Sequence, residues 1–387
     1  MTDPQAPPAA GMRVVLWGTS DTGKPRVRLL RDGLRANGVE VIECRADIWG
    51  GVQDKSQIHG AGRWLRQLAR LVAAYPVLVW RYLRLPAHDW VLLGYPAIPD
   101  IFVIRVLAWL RGARVAMDWF LSAYDTVVLD RRLVGPRHLL ARLLWCVEWI
   151  APRLADRVFM DTRAHARRME TLFHLRAGSC GDVWVGAEDA FAAPSSSAPR
   201  EPGAPLRVLF YGQFIPLHGV STIIEAARRL RGDAIDWLLI GRGQEAARVR
   251  AMLDADPLPR VQWLPWVDYP ELTRHIAAAD VCLGIFGASD KAASVIPNKV
   301  FQVLAAAKPV ITRDSPAIRE LLRDTPATRL VAAADAAALA DAVQAFAARH
   351  DIPSADLPSP AAFDAHAVGR QLLQLLQPGH HPKDCPT

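Results

Sequence analysis

The sequence predicts an α/β protein of two domains, each built on a parallel sheet with helices on both faces. The chain has 387 residues, of which 51% are hydrophobic and 22% charged, and this suits a globular protein of two ordinary domains. Short apolar runs rich in β-branched residues alternate with amphipathic runs along the chain. A stretch rich in Pro, Ser and Ala at residues 191–206 interrupts this alternation and indicates a linker.

The first domain is expected over residues 12–190, after a loose tail at 1–11. Short apolar runs predict its strands, and longer runs with a period near 3.6 predict its helices. The predicted strands are residues 13–17, 39–44, 89–93, 114–117 and 157–160, and the predicted helices are residues 27–37, 98–111 and 136–153.

The second domain is expected over residues 207–352, where strand and helix patterns alternate most regularly. Buried strands separated by helices are typical of a doubly wound parallel sheet. The predicted strands are residues 207–211, 237–240, 261–264, 281–285, 310–312 and 329–331, and the helices are 220–230, 244–253, 269–279, 298–306, 317–322 and 336–348. A final segment, 353–378, is expected to pack back on the first domain, before a tail at 379–387.

The net charge of +7 lies in the first half of the chain. Residues 1–190 hold 26 Lys and Arg against 19 Asp and Glu, and the remainder is neutral. This division predicts one basic lobe with an anionic partner and argues against a nucleic-acid binder. No apolar run has the ~18–20 residues of a membrane span, and five scattered cysteines indicate neither a disulfide framework nor a zinc site. Without a secretory signal pattern at its start, the chain is expected to be cytoplasmic.

A basic amphipathic segment occupies residues 58–84, and residues 57–87 contain no acid. Arg63, Arg66 and Arg70 share one helical stripe. The apolar Leu65, Leu68 and Val72 lie opposite, with Trp64 at the margin, before Pro76 is expected to interrupt the helix. This pattern favours contact with an anionic membrane surface. The alternative is a helix whose apolar side packs on its own domain.

Three loops of the second domain have the composition of phosphate-binding turns. Gly212 follows a predicted strand and Gly219 precedes a helix, and the GRGQE turn supplies Arg242 after the next strand. In the third loop Pro297 opens a helix, and Lys291 and Lys299 flank that turn, so that two cations and a helix terminus can converge on a diphosphate.

Several segments in residues 206–325 resemble, in order and spacing, the retaining glycosyltransferases of family 4. They are YGQFIPLHG, LLIGRGQE, WVDYPEL, AADVCLG and PNKVFQVLAAAKPVI. The resemblance implies the GT-B fold, with two facing Rossmann-like domains and a cleft between them. It also implies a metal-independent hexosyltransferase that uses a nucleotide-diphosphate sugar as donor substrate, needs no cofactor, retains configuration and glycosylates a lipid-linked or polysaccharide acceptor. Nucleic acid is not an expected partner.

The candidate site combines the phosphate loops with positions that the resemblance implies. The residues expected to bind the donor are Gly18, Gly212, Gln213, His218, Gly219, Arg242, Trp266, Val267, Lys291, Val295, Ile296, Pro297, Asn298, Lys299 and Gln302. The candidate catalytic residues are Asp118, Asp125, His218 and Lys291, of which the two aspartates follow a predicted strand and are expected to position the acceptor hydroxyl.

The sequence departs from the family pattern at four positions. Gln213 and His218 stand where the family usually has Arg and Lys, and Ser294 and Gln302 stand at the places of its two glutamates. These departures keep two alternatives open. One is a non-catalytic scaffold that binds sugar nucleotides, and the other is a nucleotide-sugar epimerase.

Overall fold

The chain divides into two compact units, and each is described by itself. The computed structural model describes residues 11–49, 61–192, 200–201, 203–349 and 356–377, without the side chains of residues 61, 63 and 64. Unit 1 comprises Met1–Gly186 and Phe363–Thr387, and unit 2 comprises Ala187–Ala362. Residues 1–10 of the first expected tail, the second expected tail at 379–387, and half of the expected linker (residues 193–199 and 202) lie outside the described residues.

Unit 1 contains a six-stranded parallel sheet in the order β2-β1-β3-β4-β5-β6. The strands are β1 (Arg13–Gly18), β2 (Glu40–Arg45), β3 (Trp90–Leu93), β4 (Arg114–Asp118), β5 (Arg157–Met160) and β6 (Cys180–Asp182). The five predicted strands are present. The short β6, with the sequence Cys-Gly-Asp, was not predicted, because three residues without β-branched side chains carry no strand signal.

Helices cover both faces of this sheet. They are α1 (Pro25–Ala36), α2 (Ala61–Leu83), α3 (Ile98–Leu110), α4 (Leu139–Leu154), α5 (Arg163–Leu172) and α12 (Ala365–Leu376). The buried sides of α2, α3, α4 and α5 share one core with Val15, Val91 and Val115 of the strands. The helices α1 and α12 share a second core with Val14 and Leu92 on the other face. None of the helices within the described ranges combines the length and hydropathy of a membrane-spanning segment.

The expected break at Pro76 does not occur, because α2 continues through it to Leu83. Proline removes one helical hydrogen bond and crowds the carbonyl four residues earlier. Leu78 and Tyr82, which follow the proline, are fully buried against the sheet, and this packing stabilises the last turns of the helix. The idea that the earlier apolar residues of α2 pack on the domain is wrong, because Leu65 and Val72 are exposed.

Unit 2 contains a second six-stranded parallel sheet, and all six of its predicted strands are present. They are β7 (Leu206–Tyr211), β8 (Ile235–Ile240), β9 (Val261–Leu264), β10 (Val281–Leu283), β11 (Val310–Arg313) and β12 (Thr328–Val331). The helices are α6 (Val220–Arg229), α7 (Ala246–Ala255), α8 (Tyr269–Ala278), α9 (Asp290–Ser294), α10 (Asn298–Ala305) and α11 (Ala336–Ala347). The predicted helix at 317–322 is a single 3₁₀ turn, Ile318–Glu320.

The strand order of unit 2, β12-β11-β10-β7-β8-β9, places the first strand of the unit in the middle of the sheet. From β7 the chain builds outward through β8 and β9, and it then returns to add β10 on the other side. The connections after β7 and β10 therefore leave in opposite directions. In open α/β sheets, ligands bind in the crevice that this switch point creates at the carboxyl ends of the strands.

Candidate functional site

Lys299, in the first turn of α10, is a buried lysine at the switch point of unit 2. It is 5% exposed, and its Nζ lies 3.8 Å from the centre of the Phe210 ring in β7. The Nζ also donates to the carbonyl oxygen of Gly284, directly after β10, at 3.3 Å. Burial lowers the pKa of Lys299 well below its usual range. No carboxylate of the described residues offsets this effect, so the amine is poised to receive an anion.

Gly212 makes room for two polar side chains beside this amine. Its φ is +141°, a backbone conformation that favours glycine. A Cβ atom at this position would lie 2.9 Å from Cε1 of His218 and 3.0 Å from Nζ of Lys299. His218 donates from Nδ1 to the carbonyl oxygen of Gln213, because a carbonyl oxygen only accepts. Gly212, His218 and Lys299 therefore form one tight cluster after β7.

Two helices of unit 2 begin at this edge of the sheet. Gly219 caps α6 with a left-handed φ of +62°, and a Cβ atom there would lie 2.7 Å from the backbone nitrogen of Gly287. Pro297 precedes α10 in an extended conformation. The Oδ1 atom of Asn298, the first residue of α10, is buried without a hydrogen-bond partner. Helix starts present free N–H groups, and the unpaired Oδ1 of Asn298 adds a hydrogen-bond acceptor to the first turn of α10.

Gln302 lies one turn further along α10 and is also buried. Its Oε1 accepts a hydrogen bond of 3.0 Å from the hydroxyl of Tyr211, which leaves its amide nitrogen 3.5 Å from the hydroxyl of Tyr269. Burial holds the pKa of Tyr211 well above its ordinary value, so this hydroxyl stays a donor.

Arg242 and Trp266 follow β8 and β9 and lie at the same edge of the sheet. The Arg242 guanidinium carbon lies 5.5 Å from the centre of the Trp266 ring, which is exposed. Val267 is half-buried beside it. An exposed indole with a cation over its face offers a stacking surface for a flat ring.

The short helix α9 contains Lys291 and Ser294, both buried. Ala292 packs with Ile215 and Leu217, which places α9 beside the loop that holds His218. The Ser294 hydroxyl donates to the carbonyl oxygen of Asp290 at 2.7 Å. The residue at the place of the first family glutamate is therefore bonded within its own helix. Val295 and Ile296, which connect α9 to α10, are half-buried and buried.

The candidate catalytic residue Asp118 lies inside unit 1. It is 1% exposed, and Nε of Arg26 donates to both of its carboxylate oxygens at 2.8 Å. Arg26 donates further to the carbonyl oxygens of Val183 and Met160. Burial raises the pKa of Asp118 to about 6, against the opposing effect of Arg26. Asp118 and Arg26 therefore form a structural ion pair, and the carboxylate of Asp118 is not exposed to an acceptor substrate.

Asp125 and Gly18 also belong to polar networks of unit 1. Asp125 is buried and accepts from Nη2 of Arg168 at 2.7 Å. Gly18 has a φ of +105°, and a Cβ atom there would lie 2.0 Å from Oδ2 of Asp100. Burial raises the pKa of Asp100 to about 7, and Thr19 donates to both of its oxygens. Gly18 therefore makes room for a buried carboxylate of its own unit.

Sequence reasoning missed the partners of these residues. Arg26 is buried and Arg168 is half-buried, on helices that also have exposed arginines, and an amphipathic pattern does not show which arginine turns inward. Phe210 and Gly284 were not predicted as neighbours of Lys299 because both lie inside predicted strands, 207–211 and 281–285. Their position at the switch point was the available signal.

Residues 205–349 match the family model described as Glycosyl transferases group 1. The matched stretch lies in unit 2 and is similar to this family. Two curated relatives are similar in sequence. A phosphatidyl-myo-inositol mannosyltransferase of Mycobacterium leprae is 29% identical over 194 residues, 47% of this chain and 50% of the relative. The amylovoran biosynthesis glycosyltransferase AmsK of Erwinia amylovora is 27% identical over 182 residues, 45% of each chain. This chain thus spans about half the length of these curated relatives.

Solved structures resemble the whole chain, including unit 1. Anabaena HepE in complex with UDP has a TM-score of 0.64 at 14% identity, covering 94% of this chain and 99% of that one. Sucrose-phosphate synthase from Thermosynechococcus elongatus has a TM-score of 0.63 at 17% identity, covering 94% of each chain. The chain thus has the GT-B type fold, in which units 1 and 2 are each Rossmann-like. Within the described residues no group of three or more His, Cys, Asp or Glu is arranged to hold a metal ion.

Proposed function

We propose that the protein is a glycosyltransferase that uses a nucleotide-diphosphate sugar as donor. The observation that carries this proposal is Lys299, a buried amine at the switch point without an anionic partner among the described residues. A buried cation is costly unless it is paired, and a diphosphate at this position supplies the missing negative charge. The structures of Anabaena HepE with UDP and with UDP-glucose support a uridine donor.

Different residues of the site are assigned to the diphosphate, the nucleobase and the ribose of the donor. In this proposal the diphosphate lies against Lys299, Gly212 and the free backbone N–H groups of the first turn of α10. The nucleobase stacks on Trp266, with Arg242 on its other side, and Gln302 approaches the ribose. Fixed donors that stabilise charge on the leaving diphosphate lower the barrier to sugar transfer. We propose that a hexosyl group is transferred with retention of its anomeric configuration and without a metal ion.

The acceptor in this proposal is a lipid-linked glycan or a polysaccharide. The names of the M. leprae and E. amylovora relatives, which refer to a phosphoinositide lipid and to amylovoran biosynthesis, support both types. We place the protein in the cytoplasm, peripheral to an anionic membrane surface.

The first experiment is a calorimetric titration of wild type and Lys299→Met with UDP. Loss of one charge-assisted contact is expected to weaken binding by about 1.5–3 kcal/mol, roughly 10- to 150-fold. The matched control is Lys308→Met. Lys308 is also buried in unit 2, but its Nζ donates to the carbonyl oxygens of Ala277 and Ala279, at the amino ends of the strands. This control is expected to lose stability and keep its UDP affinity. Equal affinity of wild type and Lys299→Met would reject the site.

A second measurement separates the transferase from its alternatives. Ser294 is bonded within α9 in place of a family glutamate, which favours the scaffold alternative. UDP release that depends on an added acceptor supports a transferase. Donor binding without turnover supports a scaffold, and isomerisation of the sugar nucleotide without acceptor supports an epimerase.

A further inference from the structure

The outer surface of α2, α3 and α4 in unit 1 carries an unusual combination of exposed apolar and basic residues. We name this surface the basic apolar face. The inner sides of the three helices pack on the same side of the sheet, through Tyr82 of α2, Ile104 of α3 and Ala151 of α4. Contacts join α2 to α3 and α3 to α4. Their opposite sides therefore form one continuous surface that points away from the sheet.

Large apolar side chains cover this face on all three helices. Trp109 of α3 is 70% exposed, Leu139 of α4 is 78% exposed and Leu65 of α2 is 70% exposed. Within each helix most of the exposed apolar residues recur at intervals of three, four or seven residues, as at 65/68/72, 102/106/109 and 139/143/150, so each helix contributes a stripe. The members are Leu65, Leu68, Val72, Val77, Trp80, Leu83, Phe102, Val106, Trp109, Leu110, Leu139, Leu140, Leu143, Trp149 and Ile150. A monomeric soluble protein rarely leaves so large an apolar area in water.

The charges on these helices are almost all positive. The acids of α2, α3 and α4 are Asp100 and Glu148, and both are buried. Glu148 accepts hydrogen bonds from Ser122 and from the backbone of Ala123, so it does not contribute to the outer charge. The exposed arginines of the described side chains on these helices are Arg66, Arg70, Arg81, Arg142 and Arg153. The face therefore presents cations to its partner without exposed carboxylates.

Two exposed tryptophans on this face carry an arginine four residues later in the chain. The Arg84 guanidinium carbon lies 3.5 Å from the centre of the Trp80 ring, and that of Arg153 lies 3.9 Å from the Trp149 ring. Tryptophan favours the headgroup level of a bilayer, and arginine beside it reaches lipid phosphates. The Trp80–Arg84 pair therefore joins an apolar contact and a cation at one place, whereas the Arg153 guanidinium also donates to the carbonyl oxygens of Phe173 and His174.

We propose that the basic apolar face docks on an anionic lipid bilayer, with its apolar stripes at the level of the headgroups and upper acyl chains. A second copy of the chain is the poorer occupant, because two such faces would bring like charges together. A bilayer with acidic headgroups satisfies both the arginines and the apolar stripes. This inference deepens the membrane location proposed above, but it needs no assumption about donor, acceptor or catalysis.

The test is co-sedimentation of the full chain with vesicles of phosphatidylcholine, with and without phosphatidylglycerol, in the absence of any nucleotide. Wild type is expected to bind only the vesicles that contain phosphatidylglycerol. Arg66→Gln with Arg70→Gln is expected to lower the partition coefficient by roughly fivefold per arginine, about 30-fold in total. The charge control is Arg229→Gln with Arg248→Gln, two exposed arginines of unit 2, which should bind as wild type does.

A second variant tests the apolar stripes. Trp109→Ser with Leu110→Ser removes two exposed side chains from α3, and it should abolish sedimentation while the melting temperature stays unchanged or rises. Vesicle binding that keeps its full strength in this variant would reduce the contact to surface electrostatics and overturn the docking proposal. The docking proposal is also overturned if sedimentation velocity shows that wild type is a dimer that does not bind vesicles, and that the variant is a monomer. Because no substrate is present, failure here leaves the UDP titration of Lys299→Met unaffected.

Discussion

Buried charges in this protein fall into two kinds, and their partners distinguish them. Arg26 and Asp118 form a buried pair in unit 1, and Lys308 of unit 2 donates to two carbonyl oxygens. Lys299 has a single, longer bond of 3.3 Å, to Gly284. Removing one partner of a buried pair leaves the other charge uncompensated. A buried amine without an anionic partner can instead pair with a charged ligand. The first kind stabilises the fold and the second suits binding.

The Arg26 pair leads to a prediction on stability. Arg26→Met is expected to cost about 3–5 kcal/mol at neutral pH, because it leaves Asp118 buried without a cation. With Arg26 present, burial raises the pKa of Asp118 to about 6, and loss of Arg26 must raise this pKa further. At low pH the carboxyl of the variant therefore takes up a proton and the cost should shrink. Urea unfolding at pH 5 and pH 8 measures the difference. A catalytic Asp118 would behave otherwise, since Asp118→Asn would then abolish turnover without lowering the urea midpoint.

We expect Lys299 to take up a proton when UDP binds. Its pKa is low in the free protein, and a bound diphosphate must raise it, so UDP binding should take up a proton at pH values between the two. The affinity of wild type should therefore fall as pH rises through the pKa of the free protein, by at most about tenfold per pH unit. Calorimetry in buffers of different ionisation enthalpy measures the uptake. Lys299→Met supplies the reference, because UDP has its own titrating phosphate, and identical uptake in both proteins would contradict the prediction.

At the scale of elements, periodicity predicted most of the strands and helices because they alternate regularly. It failed where tertiary packing overrides local preference. The helix α2 passes through Pro76 because Leu78 and Tyr82 are buried beyond it. The strand β6 pairs with β5 although its sequence is only Cys-Gly-Asp. In unit 2 the loops after β7 and β10 could be assigned to the site from sequence, because chain order and glycine spacing place them at the switch point.

The packing of α12 on α1 depends on two glycines. A Cβ atom on Gly369 would lie 2.1 Å from the carbonyl oxygen of Gly33, and one on Gly33 would lie 2.8 Å from the backbone nitrogen of Gly369. The two helices therefore approach until their backbones touch. Asn37 adds hydrogen bonds to the carbonyl oxygens of Gly33 and His366. The contact joins α12 to the first helix of unit 1, the unit on which the final segment was expected to pack, but the sequence pattern did not identify α1 as its partner.

At the scale of the molecule, the chain leaves unit 1 at Gly186, builds unit 2 and returns to unit 1 at Phe363. The predicted candidate residues divide with the units. Those of unit 2 gather at one edge of its sheet, whereas Asp118, Asp125 and Gly18 of unit 1 lie in buried networks of their own. Spacing in a sequence places residues after strands, but it does not reveal whether a carboxylate has found a partner inside the domain. That distinction needs the three-dimensional contacts.

Because α12 packs on unit 1, weakening the contact between α12 and α1 should destabilise unit 1 and leave unit 2 unchanged. Gly369→Val forces a branched side chain against the backbone of α1, and overpacking of this kind costs about 1–3 kcal/mol or more. Hydrogen exchange should accelerate in β1, β3 and β4 of unit 1, while β7 and β10 of unit 2 exchange as in wild type and keep their protection by UDP. Gly135→Ala, in unit 1 with open space around it, should leave both units unchanged. Equal acceleration in the two sheets would instead mean that α12 stabilises both units together, because only a shared unfolding event exposes amides of both at one rate.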